Sequence, residues 1–237
     1  MRARKKSRYS PHPSIAYAQS VVAGMRAKTG RSLEEWVALV AKKGPKDEAG
    51  RAAWLKREHE LGTNYAGWIA ARSLGKDDGE TDPEKYLALA ETYVVEQYAG
   101  AKAGMKPVYE KLLELGLGLG KDVKACPCKT MVPLFRKHAI AEIKPAARTR
   151  VDLGLALGKH AGKLPKRLLD TGGAAKKDRI THKIALTAPA EVDAEVARWL
   201  RTAYELDASG SGGSSRATRA SGASRSSRSS TPLKMKA

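Results

Sequence analysis

Apolar residues recur at helical spacing through the first half of the chain and at a spacing of two after about residue 131. Leu33, Trp36, Val37 and Val40 share one helical stripe, whereas Val151, Leu153 and Leu155 alternate with Arg150 and Asp152. A helical stripe and a one-sided strand each need a partner to cover them, so the chain must pack a sheet against helices. Four strands are predicted, over Met131–Arg136, His138–Lys144, Arg148–Leu155 and Arg179–Thr187. The links between them are too short for repeated helical crossovers, which makes the sheet largely antiparallel. Pro189 then opens a last helix whose stripe is Val192, Val196, Trp199, Leu200 and Ala203. The fold class is α+β.

The helical first part reads as a separate small bundle over residues 14–74. Three of the four tryptophans, Trp36, Trp54 and Trp68, lie in it. A first helix is predicted over Ser14–Met25. Ser32-Leu-Glu-Glu35 has the form of a capping box before the second, and Gly44-Pro45 ends that helix. A third helix spans Asp47–Leu61, and Thr63 caps a fourth carrying Tyr65, Trp68 and Ile69. Residues 75–82 form a linker. Asp82-Pro83, a cap residue followed by proline at the first helical position, starts the α+β domain of residues 83–207. Its first helix buries Tyr86, Ala90, Tyr93 and Val94, and a second from Lys106 buries Val108, Tyr109, Leu112 and Leu115. Residues 1–13 are expected to be a basic disordered arm and 208–237 a disordered Ser/Gly/Arg tail.

The net charge of +19 is unevenly spread. The stretch to Arg8 contributes +5 and the stretch from Ala208 +6, with no acid in either. Within the folded part, Lys121–Lys183 holds sixteen bases against five acids, while Gly75–Gly120 and Ile184–Asp207 are acidic. A basic segment between acidic helices predicts a surface that attracts anions. On the strand alternation, Arg148 and Arg150 share a face, with Arg136 and Lys144 beside them and Arg179 and Lys183 on another strand. Lys177 stands in Asp170-Thr-Gly-Gly-Ala-Ala-Lys-Lys-Asp-Arg179, whose glycines can expose backbone N–H groups to an anion. That loop lacks the spacing of a Walker motif, and a strand follows it. Few aromatics interleave with these bases, so phosphate contact fits better than base stacking.

Cys126-Pro127-Cys128 is the other chemical candidate: two thiols on one side of an extended segment can hold a soft metal, iron or zinc, or be oxidised together. A tetrahedral zinc site needs four ligands, to be completed from His138, His160 or His182. His182 falls in the apolar alternation with Ile180 and Ile184 and reads as an interior histidine. Ala53–Arg72 matches a helix-turn-helix poorly, because Glu58 and Thr63 occupy positions that want small and apolar residues. Catalytic carboxylate pairs, nucleophile elbows and dinucleotide fingerprints are absent. Two cysteines fit a reducing cytoplasm, and no run approaches the ~20 apolar residues of a membrane helix.

Thr29-Gly-Arg-Ser-Leu-Glu-Glu-Trp36, Trp54-Leu-Lys-Arg-Glu-His59 and Leu61-Gly-Thr-Asn64 resemble a short bacterial helical domain of unknown function. Val123-Lys-Ala-Cys-Pro-Cys-Lys129, Val132-Pro-Leu-Phe-Arg136 and Lys177-Asp-Arg-Ile-Thr-His182 resemble a second domain of unknown function, similar in layout to the YdhG-like fold. The resemblance implies no settled activity and carries no ligand residues; its link to iron handling bears on the cysteine alternative.

The sequence therefore leads to a cytoplasmic, non-enzymatic binding or adaptor protein. Its expected partner is an anion, nucleic acid first, held by Arg136, Lys144, Arg148, Arg150, Lys177, Arg179 and Lys183, with no resident cofactor and no membrane. The alternative is a metal-handling or thiol-redox protein built on Cys126 and Cys128. No oligomeric state follows from the sequence.

Overall fold

The computed structural model describes residues 7–76, 79, 81–158 and 164–209; His160 and the expected tail from 210 lie outside them. The bundle comprises α1 (Ser14–Ala23), α2 (Met25–Thr29), α3 (Leu33–Lys43), α4 (Glu48–Glu58) and α5 (Thr63–Ser73). The predicted first helix is interrupted at Gly24 and continues as α2. At α3 the capping box forms as read: the Glu35 amide donates to Ser32 Oγ at 3.3 Å, and the Ser32 amide to Glu35 Oε2 at 2.9 Å. Thr63 is the first residue of α5 rather than its cap, and Gly62 takes the cap position without a side-chain bond. Met25, Trp36, Val40, Leu55 and Ile69 form the bundle core. The buried Arg51 guanidinium donates to the carbonyls of Pro45 at 2.7 Å and Ser73 at 2.8 Å, tying the start of α4 to the end of α5.

The second domain has α6 (Pro83–Gln97), a 3-10 segment Gly100–Met105, and α7 (Lys106–Leu117). Strands β1 (Lys124–Ala125), β2 (Val132–Phe135), β3 (Ala139–Ala147), β4 (Arg150–Leu155), β5 (Leu168–Asp170) and β6 (His182–Leu186) follow, and α8 (Ala194–Ala208) closes it. Asp82 Oδ1 accepts from the Glu84 amide at 2.9 Å, the predicted cap of α6. Pro189 begins only a 3-10 turn; Asp193, whose Oδ1 accepts from Glu195 and Val196 amides at 3.1 Å, is the true cap of α8. The six strands form one antiparallel sheet in the order β1-β2-β3-β4-β6-β5. The last predicted strand is shorter than read, since Arg179–Thr181 precede β6. β1 and β5 are edge strands too short to show a period of two.

Register aligns Val132, Ile143, Leu153, Ile184 and Leu168 in one inward row. All are buried and pack with Tyr109 and Leu112 of α7 and Val196 and Leu200 of α8. At ~1.5–3 kcal/mol for each large apolar side chain, this layer is the main source of stability. Gly116 lets α7 approach β2 closely: a Cβ there would stand 2.4 Å from Leu134 Cδ1.

The expected disordered arm over residues 1–13 is corrected from Ser7 onward, where the chain is docked on the second domain. Tyr9 is 5% exposed and belongs to the sheet-domain core, as does Ile15 of α1. The Tyr9 and Tyr109 hydroxyls lie 2.8 Å apart, the Ser10 amide donates to the Ala125 carbonyl at 2.9 Å, and Arg8 pairs with Glu110 at 2.6 Å. Basic composition suggested a free arm, but one aromatic residue and an available strand edge outweigh that. Tyr9→Ala is expected to lower stability by roughly 3–5 kcal/mol in urea unfolding, and Tyr9→Phe by about 1 kcal/mol. A Tyr9→Ala loss below 1 kcal/mol would detach the strap from the core.

Candidate anion-binding groove

The bases expected on one open face divide between partners. Arg150 and Lys183 do point to the outer sheet face, but both converge on Asp152, at 2.8 Å and 3.1 Å. The Arg150–Asp152 approach is an ion pair without hydrogen-bond alignment at Oδ1. Arg136 leaves that face, pairing with Asp122 at 2.6 Å and lying 4.0 Å over the Tyr204 ring. Arg179 donates to the Ala139 carbonyl at 2.9 Å and to Asp207. Charge counting missed this because the pairs are made by tertiary contact: Asp122 and Asp207 lie in different segments from Arg136 and Arg179, and Asp152 reaches Lys183 on another strand.

Asp207, at the end of α8, is almost wholly buried. It also accepts from His138 Nδ1 at 2.9 Å and from the amides of Lys137 at 2.9 Å and His138 at 3.2 Å. Burial alone would raise its carboxyl; the bonds from His138 and Lys137 and the Arg179 charge outweigh that and hold it below the usual carboxylate range.

The glycine loop is closed on itself. Gly172 donates to Asp170 Oδ1 at 2.7 Å, Gly173 to Thr171 Oγ1 at 3.2 Å, and Thr171 Oγ1 to the Ile180 carbonyl at 2.9 Å. Its glycine amides are therefore not offered to an anion. Lys177 is exposed there in a left-handed conformation at φ 57° and does not line the groove that holds Lys144 and Arg148.

Lys144, which stands opposite Asp152 in the register, and Arg148 come together along a groove of about 620 Å³ between the end of α6, the 3-10 segment, the Cys128–Met131 turn and the β3–β4 turn. Lys102, Lys129 and Thr130 also line it, and Glu96 is its one acid. Gln97, the last residue of α6, donates from Nε2 to the Cys128 carbonyl at 2.6 Å, and the Cys128 amide donates to Met131 at 2.8 Å. These bonds hold the turn that carries Lys129 and Thr130. Lys102 Nζ donates to the Pro145 carbonyl at 2.9 Å, fastening the 3-10 segment to β3. The β3–β4 register shifts between Lys144 and Ala147, next to the groove. Among the described residues, Lys144 and Arg148 form no ion pair. Lys129 lay within the basic segment and was open to inference. Lys102 sits in an acidic stretch, with no signal to mark it.

The cysteines are held as structure. Cys126 is fully buried, with its thiol 3.7 Å from the Pro11 carbonyl, and the Cys128 thiol lies 3.7 Å from the Cys126 carbonyl. Tyr86 donates to the Pro127 carbonyl at 2.7 Å, pinning the turn. Burial pushes the Cys126 thiol up to about 12 and the Cys128 thiol up to about 11. His138 is bound to Asp207, and the buried His182 shares a 2.9 Å bond with Thr181 Oγ1, on the interior side as read. No group of three metal-ligating side chains forms among the described residues. Nor, among them, is any helix long and apolar enough to cross a membrane.

Residues 17–74 match a domain of unknown function (DUF4287), and residues 94–207 match another (DUF5655). The two segments follow the bundle and the sheet domain. No curated protein and no solved structure matches the chain.

Two outcomes are expected. Asp207→Ala strands the Arg179 charge and lowers stability by roughly 3–5 kcal/mol in urea unfolding. In the parent protein the Asp207 contribution is complete above the unfolded carboxylate value of about 3.9 and is lost as pH falls through the depressed folded value, so acid titration of Asp207→Asn lacks that component. Second, iodoacetamide alkylation of both cysteines near pH 8 runs on the order of a hundredfold or more slower than for a free thiol of pKa about 8.5, and recovers in urea. Fast alkylation of the folded protein would contradict the buried, protonated thiols.

Proposed function

We propose that this chain is a non-enzymatic binding module that engages a phosphate-bearing anion in the groove of Lys102, Lys129, Lys144 and Arg148. The observation that carries this reading is the contrast between two sets of bases. Arg150 and Lys183 share Asp152, and Arg136 and Arg179 are held by Asp122 and Asp207. Lys144 and Arg148 form no ion pair among the described residues, although Lys144 stands opposite Asp152 in the register and its charge is felt by Glu142, and they line a concave surface whose one acid is Glu96.

Nucleic acid is the first partner considered, because residues 1–6 and 208–237 add ten bases and no acid. Such segments supply sequence-independent phosphate attraction, and a groove fixed by Gln97 and Lys102 would position what they attract. A reducing cytoplasm fits the two protonated, unpaired thiols. The antiparallel sheet packed on helices also supports the YdhG-like layout for the second domain.

Binding of a labelled oligonucleotide, read by fluorescence anisotropy, is expected to weaken steeply between about 50 and 200 mM salt. The double neutralisation Lys144→Gln/Arg148→Gln should lower affinity by about tenfold or more, the scale of ~1.4 kcal/mol. Arg150→Gln/Lys183→Gln removes the same formal charge from already paired positions and should change affinity far less. Equal losses in the two variants would mean that general charge, not the groove, governs binding.

A further inference from the structure

The surroundings of the groove narrow its ligand, and this step rests on the groove reading above. A strand of nucleic acid bound through internal phosphates needs a track of bases, one contact after another along its backbone. Beyond the groove, several of the nearby bases are held by carboxylates rather than set out as such a track. On the sheet side Arg150 and Lys183 are spent on Asp152, and on the α6 side Glu96 stands in the lining. Arg136 and Arg179 are turned to Asp122 and Asp207. Four bases against one acid are thus gathered in a short concave surface whose neighbouring bases are held by carboxylates.

Such a field suits a compact anion with more than one charge at one point. A phosphomonoester carries about −1.5 to −2 near pH 7 and presents three acceptor oxygens, whereas a backbone diester carries a single charge. Its oxygens match donors gathered here: the Lys144 ammonium, the planar Arg148 guanidinium and the Thr130 hydroxyl. We infer that the groove recognises a terminal phosphomonoester in preference to internal phosphodiesters. The shared chemistry admits a phosphorylated strand end or a free nucleoside monophosphate as its source.

The test uses the full chain and a short single-stranded oligonucleotide labelled at its 3′ end, with either a 5′-phosphate or a 5′-hydroxyl. The phosphorylated strand is expected to bind about tenfold or more tightly, and the advantage should vanish in Lys144→Gln/Arg148→Gln while the thermal unfolding midpoint is kept. Competition with a nucleoside monophosphate separates the sources. Displacement at comparable concentration supports a free phosphomonoester; displacement only by unlabelled phosphorylated strand supports a strand end. Equal affinity for both strands, lost in the double variant, overturns the terminal-phosphate inference and leaves the groove standing. Equal affinity that the double variant does not alter, or binding of neither strand, overturns both.

Discussion

The Asp207 carboxylate organises much of the second domain. A buried charge is tolerated only when partners replace its water, and here they join three places in the chain, two of them supplying the partners. His138 and the Lys137 amide bring the β2–β3 turn, Arg179 brings the segment before β6, and Asp207 itself ends α8. One side chain thus fastens the last helix to two separated parts of the sheet. It also withdraws Arg179 from the surface, so a fold-building contact decides where positive charge remains available.

Much of the architecture was legible because it is written in periodicity. The apolar stripes of α3, α6, α7 and α8 and the alternation in β6 correspond to burial, whereas β3 and β4 also bury Ala141 and Gly154, and Ser32, Glu35 and Asp82 make the caps their identities suggested. Elements governed by tertiary context were not legible. β1 and β5 have two and three residues, too few for a period. Pro189 looked like a helix start, but Asp193 offers the aligned side-chain acceptor and takes the role.

The candidate site was legible in part. Its location in the basic segment followed from charge, and Lys144 and Arg148 were among the residues chosen. The error lay in treating alternation as accessibility. Alternation placed Arg150 and Lys183 on the outer face, but Asp152, between them on the same face, holds both side chains. Lys102 joined the groove through a bond to the Pro145 carbonyl, a contact separated by 43 positions in the chain.

The seating of Tyr9 and Ile15 in the sheet-domain core makes that domain discontinuous along the chain, with most of the helical bundle enclosed between its first residues and the rest. This sets an order of assembly during synthesis. Ser10 emerges early, but its backbone partner Ala125 is made only after the whole bundle. Domains fold as they emerge, amino-terminal ones first, so the bundle can form while the strap still waits for its strand edge. Closing that long loop adds little entropy cost per extra residue, but it is the kind of non-local contact that forms late. The Tyr9–Ile15 segment therefore takes its place in the core only once the second domain has been made.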